Sequence, residues 1–374
     1  MELKGVVRNI RYTACVRTGE LERLPAAAFD VNEARPFGVI IYDERGDEIV
    51  GHSKWVSPKR TRTYPFARIY NTYHLPRKVT IIPVIKDEGI GGDLDRINFI
   101  TFSWMNLMNV YIVLAWYDEA KASSRGARKI TSQRFNAQYV RERLFELRDY
   151  HQTALHWNTM HFQRDFVQVY RRAVERYQLL SERLGIPMHS PEMHFQLLDS
   201  LLVKGAFSIE RFKAITLQGS RSAAIRETVT RHTSERTPVG DKVTIQVENQ
   251  LGGEYFLTAD GFYTETGRVV FREAKNVSTR KLPSLNDIQD GLFKLILFAN
   301  MDRLTVDGVD TPFRVELYLS GNFKGSIALP SSSEDVAEFM SANGFSAREA
   351  HLIRLLSEEA ATNARLSIVL EGHA

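Results

Sequence analysis

The chain has 374 residues, 43% of them hydrophobic and 25% charged, with a formal net charge of +4. That composition excludes a disordered chain, gives enough apolar residues for a sizeable core, and at roughly 100–200 residues per domain implies two or three units. The single cysteine, Cys15, rules out an intramolecular disulfide and a cysteine-based zinc site.

The N-terminal stretch has charges among its apolar positions and lacks the unbroken apolar run of a signal peptide. The most apolar segment, Val110 to Trp116, is far shorter than the ~20 residues a bilayer requires. A cytoplasmic protein is therefore expected. Residues 1–120 read mainly as strands. The segment FGVIIYDERGDEIVGH has two apolar runs around Glu44-Arg45-Gly46-Asp47, a hairpin signal. VTIIPVIKDEG is a further strand ending in a turn. Val110 to Trp116 is β-branched and aromatic-rich, as in a strand buried on both faces.

Between 133 and 184 the apolar spacing changes to a 3.6-residue period. Val140, Leu144, Leu147, Ala154 and Leu155, then Phe162, Phe166, Val169, Ala173, Tyr177, Leu180 and Leu184, predict one long helix or two in series, stopped at Gly185 and Pro187. Residues 192–232 read as helical with a weaker period. From 243 the order becomes strand, strand, strand, helix, strand, helix. Val243–Val247 opens it. Asp260–Tyr263 and Arg268–Lys275 flank the turn Thr264-Glu265-Thr266-Gly267. Ser284 and Asp287 form a capping pair before a helix with Leu285, Ile288, Leu292, Leu295, Ile296 and Ala299 on one face. Phe313–Leu319 is the next strand, and Glu334–Ala342 and Ala347–Ala361 are helices.

The chemistry lies in TADGFYTETGRVVFREAKN. In a hairpin, residues equidistant from the turn face each other, so Asp260 and Glu273 share one end. Strand alternation puts Glu273 and Lys275 on one face, with Ala274 on the other. Two carboxylates then suit Mg²⁺, a hard cation preferring oxygen. The ammonium can position or activate a water, or stabilise charge growing on a phosphate.

Asp260, a twelve-residue gap and Glu273-Ala274-Lys275 together resemble the PD-(D/E)XK nucleases, with Ala259 where the family usually has proline. The likeness covers about residues 243–320. It implies an α/β fold with a restriction-endonuclease-like core, a mixed central sheet flanked by helices, at 211–374. Before it would come a β-rich domain at 1–122 and a helical segment at 123–210. It further implies a Mg²⁺-dependent endonuclease acting on double-stranded DNA, most similar to bacterial type II restriction enzymes, working as a homodimer. Catalytic residues would be Asp260, Glu273 and Lys275, with Asp260 and Glu273 holding the metal. Lys294 and Asp287 on the following helix, and Glu227 upstream, are accessory candidates. The alternatives are a repair or recombination nuclease of the same fold and a non-catalytic DNA-binding protein.

Residues 54–78 contain Lys54, Lys59, Arg60, Arg62, Arg68, Arg77 and Lys78 with interleaved aromatics and no acidic residue. That pattern fits DNA contact through phosphates and base edges, or else a basic loop on a globular surface. A second match to the bare pattern, Asp93 or Asp95 with Glu119-Ala120-Lys121, has a long apolar stretch where a hairpin turn should be. There the expectation is a strand end with solvated charges. Lys86 to Asp95 lacks the spacing of a calcium loop and reads as a turn.

Overall fold

The computed structural model describes residues 1–16, 21–58, 75–219 and 243–373. It is a mixed α/β protein with several mixed sheets. The described residues fall into two compact units, 21–58 with 75–219 and 1–16 with 243–373. The units cut the chain differently from the three segments expected. Strand β1 (Leu3–Val7) pairs in parallel with residues 246–249, which moves the first residues into the C-terminal unit. The β-rich and helical segments between 21 and 219 share one core and form the other unit.

In that unit the sheet is built from β2 (Arg23–Pro25), β3 (Phe37–Ile41), β4 (Ile49–Lys54), β5 (Lys78–Pro83) and, beyond the hairpin β6 (Ile85–Asp87) and β7 (Leu94–Arg96), β8 (Tyr111–Ala115). Its strand order is β2-β3-β4-β5-β8. Strands β3 and β4 make the expected hairpin, and all five residues of β8 are buried. A second hairpin joins β9 (Tyr117–Ala122) to β10 (Ile130–Phe135). Helix α1 (Phe99–Leu107) precedes β8; α2 (Ala137–Arg148) and α3 (Ala154–Leu184) are the two helices in series.

Helix α3 ends at Gly185, whose φ of 65° stops it with a left-handed cap. Its apolar stripe packs on β8 and β9. The buried polar residues on the same face serve the backbone of edge strand β8. Asn158 Oδ1 accepts from Ile112 N at 2.6 Å, and His161 Nε2 accepts from Leu114 N at 2.9 Å. Trp157 Nε1 donates to Ile112 O at 2.8 Å. These side chains pair backbone groups that an edge strand leaves open. Helix α4 (Pro191–Ser200) and the small hairpin β11 (Leu202–Val203) and β12 (Ala206–Phe207) interrupt the expected helical run.

The other unit carries two five-stranded sheets. One has β13 (Val243–Asn249) and β14 (Glu254–Ala259) beside β1. The second begins with β15 (Gly261–Glu265) and β16 (Arg268–Asn276), joined by a tight turn with φ of 48° at Thr266 and 75° at Gly267. Two positive φ values in a two-residue loop match the right-handed twist of hairpin strands. Helix α5 (Leu285–Ala299) then packs on the second sheet. Strands β17 (Arg303–Val306) and β18 (Val309–Asp310) complete the first sheet, in the order β14-β13-β1-β17-β18. Strand β19 (Phe313–Gly321) lies parallel to β16, and β20 (Ser326–Leu329), α6 (Ser333–Ala342), α7 (Ala347–Thr362) and β21 (Leu366–Gly372) finish the chain. The second sheet has the order β15-β16-β19-β21-β20. Helix α5 packs on β16 and β19, with Ile288, Leu292, Leu295 and Ile296 buried, and α7 packs on β20 and β21. No helix among the described residues is long and apolar enough to cross a membrane.

Candidate active site

Asp260 is the single residue between β14 and β15, where the chain leaves one sheet for the other. Its N–H donates to Arg272 O at 2.9 Å, next to the last ladder pair of the hairpin, Gly261 with Arg272. Its Oδ2 accepts from Ala274 N at 3.2 Å, which aims the carboxylate at the end of β16. On β16 the alternation expected from the sequence holds. Phe271, Glu273 and Lys275 face α5, where Phe271 stacks on Phe298 at 5.4 Å between ring centroids. Arg272 faces the other way and pairs with buried Glu316.

Glu273 is only 2% exposed. Its Oε1 lies 3.1 Å from Lys275 Nζ and its Oε2 accepts from Lys294 Nζ at 2.7 Å. Lys275 Nζ also donates to Asp290 Oδ2 at 3.0 Å. The result is a charge ladder, Asp290–Lys275–Glu273–Lys294, with Asp260 beside it. Asp290 and Lys294 are four residues apart, so they share one face of α5. Gly291 lets that face come close. A Cβ there would lie 2.8 Å from Leu317 Cδ1, 3.2 Å from Lys275 Cε and 3.5 Å from Glu273 Cγ.

Burial pushes the Glu273 carboxyl up and the neighbouring Asp260 charge adds to this; Lys294 and Lys275 offset part of the rise, which remains net upward. Burial pulls the Lys275 ammonium down, but Glu273 and Asp290 outweigh it and hold the group above its ordinary value. Lys275 therefore stays charged at neutral pH. Two carboxylates that disfavour each other, with hard oxygen donors, are the kind of set a divalent cation would relieve. Among the described residues no three His, Cys, Asp or Glu side chains gather around one point. A cation held by Asp260 and Glu273 would keep most of its shell for water or substrate oxygens, as Mg²⁺ commonly does.

The other expected residues are placed as follows. Lys294 reaches the site. Asp287 does not: its backbone N–H and carboxylate are taken up by Ser284 at the N-terminus of α5. Lys54 is half-buried, its ammonium donating to Val31 O at 2.6 Å and Asn32 O at 3.2 Å, so it is spent on the backbone of its own unit and not presented to a phosphate. Lys59, Arg60, Arg62, Arg68 and Glu227 lie outside the described residues. Arg77 donates to Leu147 O and Arg148 O at the C-terminal end of α2.

The second Glu-Ala-Lys match is a hairpin strand with no convergence. Asp118 accepts from Trp116 Nε1 and Asn136 Nδ2 and pairs with Arg176, while Glu119 faces Arg134 and Lys121 is exposed. Lys86 to Asp95 forms the β6–β7 hairpin; buried Asp87 accepts from Gly89 N and from the backbone and ring of His189. Asp290 was not singled out in the sequence. The available signal was Asp290-Gly291-x-x-Lys294, oppositely charged residues one helical turn apart with a glycine between.

Comparison with protein-family models, with curated proteins and with solved structures finds no match to this chain.

A larger side chain at Gly291 should separate α5 from the site. Gly291→Leu is expected to cost about 1–3 kcal/mol of stability, the usual range for overpacking. Urea unfolding with no change in midpoint would show that α5 does not sit this close to Leu317 and Lys275.

Proposed function

We propose that the chain is a Mg²⁺-dependent endonuclease of the PD-(D/E)XK type that cuts double-stranded DNA at specific sequences, in the manner of a type II restriction enzyme. One juxtaposition carries the reading. Asp260, at the start of a hairpin, is tied to the backbone beside Glu273, and Lys275 emerges two residues later on the same face. The order hairpin, α5, parallel β19 accords with that family's core.

Cleaving a phosphodiester requires a water aimed in line with the leaving oxygen, and donors for the charge that grows on the phosphate. Asp260 and Glu273 are the residues that would hold Mg²⁺. When bound, the ion supplies polarisation of a phosphoryl oxygen and a more acidic water. Lys275 is 20% exposed, so its ammonium combines a fixed anchor with access to a substrate phosphate. It donates to a non-bridging oxygen or orients the attacking water. Ala274, between the two acting residues, fixes Asp260 through its N–H.

Incubating the purified protein with plasmid and Mg²⁺ tests the reading. Discrete fragments of reproducible length are expected, and none when Mg²⁺ is chelated. Cutting confined to branched or damaged DNA would indicate a repair nuclease, and binding without cutting a non-catalytic DNA-binding protein. A restriction role in the cytoplasm and a homodimer on a two-fold site belong to the same proposal. Sedimentation with a cleavable duplex and Ca²⁺ should show two chains per DNA.

A further inference from the structure

The ladder around Glu273 is built from formal charges that do not cancel. Asp260, Glu273 and Asp290 contribute three carboxylates, while Lys275 and Lys294 contribute two ammoniums. Both Glu273 oxygens already face an ammonium, Oε1 at 3.1 Å and Oε2 at 2.7 Å. Glu273 is almost wholly enclosed, and a carboxylate so placed is costly without a counter-charge. Lys294 meets that need from α5, a separate element, through a long flexible stem. It stands as a monovalent substitute on the oxygen pair that the nuclease reading assigns to a divalent ion. Asp290 lies on the same helix face, one turn earlier and half-exposed, at the far end of the ladder.

Resting on the nuclease reading of this site, we infer that Lys294 and Asp290 set its divalent-cation affinity in opposite senses. Lys294 competes with the cation for Glu273 and weakens binding. Asp290 shares the Lys275 ammonium with Glu273, adds a negative charge nearby, and strengthens binding. The two are positioning residues on one rigid helix, and Gly291 between them lets both reach the sheet. The device keeps the buried carboxylate compensated when no metal is present, at the expense of metal affinity.

Electrostatics fixes the size of the effect. A unit charge a few ångströms from a divalent ion changes its affinity by about tenfold or more even in a water-like dielectric. Titration calorimetry of Mg²⁺ and Ca²⁺ into the full chain, without DNA, reads this directly and requires no catalysis. Lys294→Met should tighten binding about tenfold and Asp290→Asn should loosen it about tenfold. Combining them restores the formal charge and should return affinity close to wild type. Asp290→Glu should behave like wild type, and so should Glu119→Gln, which lies outside the ladder. Thermal unfolding is followed on each variant. If Lys294→Met does not fold, half-exposed Asp290 carries the test: looser binding in Asp290→Asn supports the inference, and unchanged or tighter binding overturns it.

Both single variants weakening binding, or a double variant worse than either, would also overturn it, because that is damage to the site and not charge tuning. A wild type that binds no divalent ion, or binds it equally well after Glu273→Gln, overturns this inference and the nuclease reading together. Binding that follows the expected pattern without any cleavage of DNA defeats the nuclease reading alone.

Discussion

Lys275→Ala, Glu273→Gln and Asp260→Ala are each expected to lower plasmid cleavage by three or more orders of magnitude, the usual loss when one member of a concerted catalytic set is removed. Glutamine is chosen at position 273 because it keeps the volume of the enclosed side chain and one acceptor oxygen, whereas alanine would leave a cavity and no acceptor beside Lys275 and Lys294. Loss of a buried partner in that way commonly costs ~3–5 kcal/mol, which would confuse unfolding with loss of catalysis. Asp260 and Lys275 are less enclosed, so alanine serves there. The acidic variants should also lose divalent-ion binding in calorimetry. Lys275→Ala should retain it, because the ammonium is not a ligand. Glu119→Ala and Lys121→Ala are the controls: they fit the bare sequence pattern but do not converge, Glu119 facing Arg134 and Lys121 being exposed, and cleavage should stay within about twofold of wild type, as for ordinary surface substitutions. If the Glu119 and Lys121 variants lose activity while Glu273→Gln and Lys275→Ala keep it, the site has been assigned to the wrong unit.

What the sequence disclosed, and what it hid, follows from the range of the interactions. The 260–275 hairpin is local: alternation fixed its faces and Thr266-Gly267 its turn, so the neighbourhood of Asp260, Glu273 and Lys275 could be read directly. Helix α5 was equally plain from Ser284 and its apolar period. Its rotation on the sheet was not, because this depends on how Gly291 meets Leu317 across the crossover, and so Asp290 went unnoticed and Asp287 looked as eligible as Lys294. Helix α1 was hidden for another reason. Six of its nine residues are buried, which removes the polar face that reveals a helical period, and only Asn98, capping Thr101 N, marks its start. The pairing of Gly5 with Val247 spans most of the chain and has no local signature, which is why the N-terminal strand was placed in the wrong unit. Asn158 and His161 carry no sequence signal of their role, because the backbone groups they pair, at the edge of β8, lie more than forty residues earlier in the chain.

The largest effect on stability is expected at Glu359. This carboxylate on α7 is fully buried and meets the chain just after β1. Its Oε1 accepts from Tyr12 Oη at 2.6 Å, and its Oε2 accepts from Cys15 N at 3.0 Å and Val16 N at 2.9 Å. Three donors thus converge on one acceptor group in a segment with no strand of its own to pair them. Glu359→Ala leaves all three enclosed without that acceptor. At ~1–3 kcal/mol for each buried donor left unsatisfied, with some relaxation, a loss of about 3–5 kcal/mol is expected. Glu359→Gln keeps one acceptor oxygen but turns an amide N–H₂ toward donors, so it should recover only part of the loss. The consequence reaches the candidate site, since Gln289 on α5 lies within 3.5 Å of Val16 O. Loosening residues 12–16 should therefore lower cleavage at temperatures where the protein is still mostly folded. Urea unfolding followed by tyrosine and tryptophan fluorescence measures the first effect. A change under 1 kcal/mol for Glu359→Ala would mean that water or neighbouring groups replace the carboxylate, and that the N-terminal segment is held by its other contacts, among them the two hydrogen bonds between Asn363 and the Thr13 backbone.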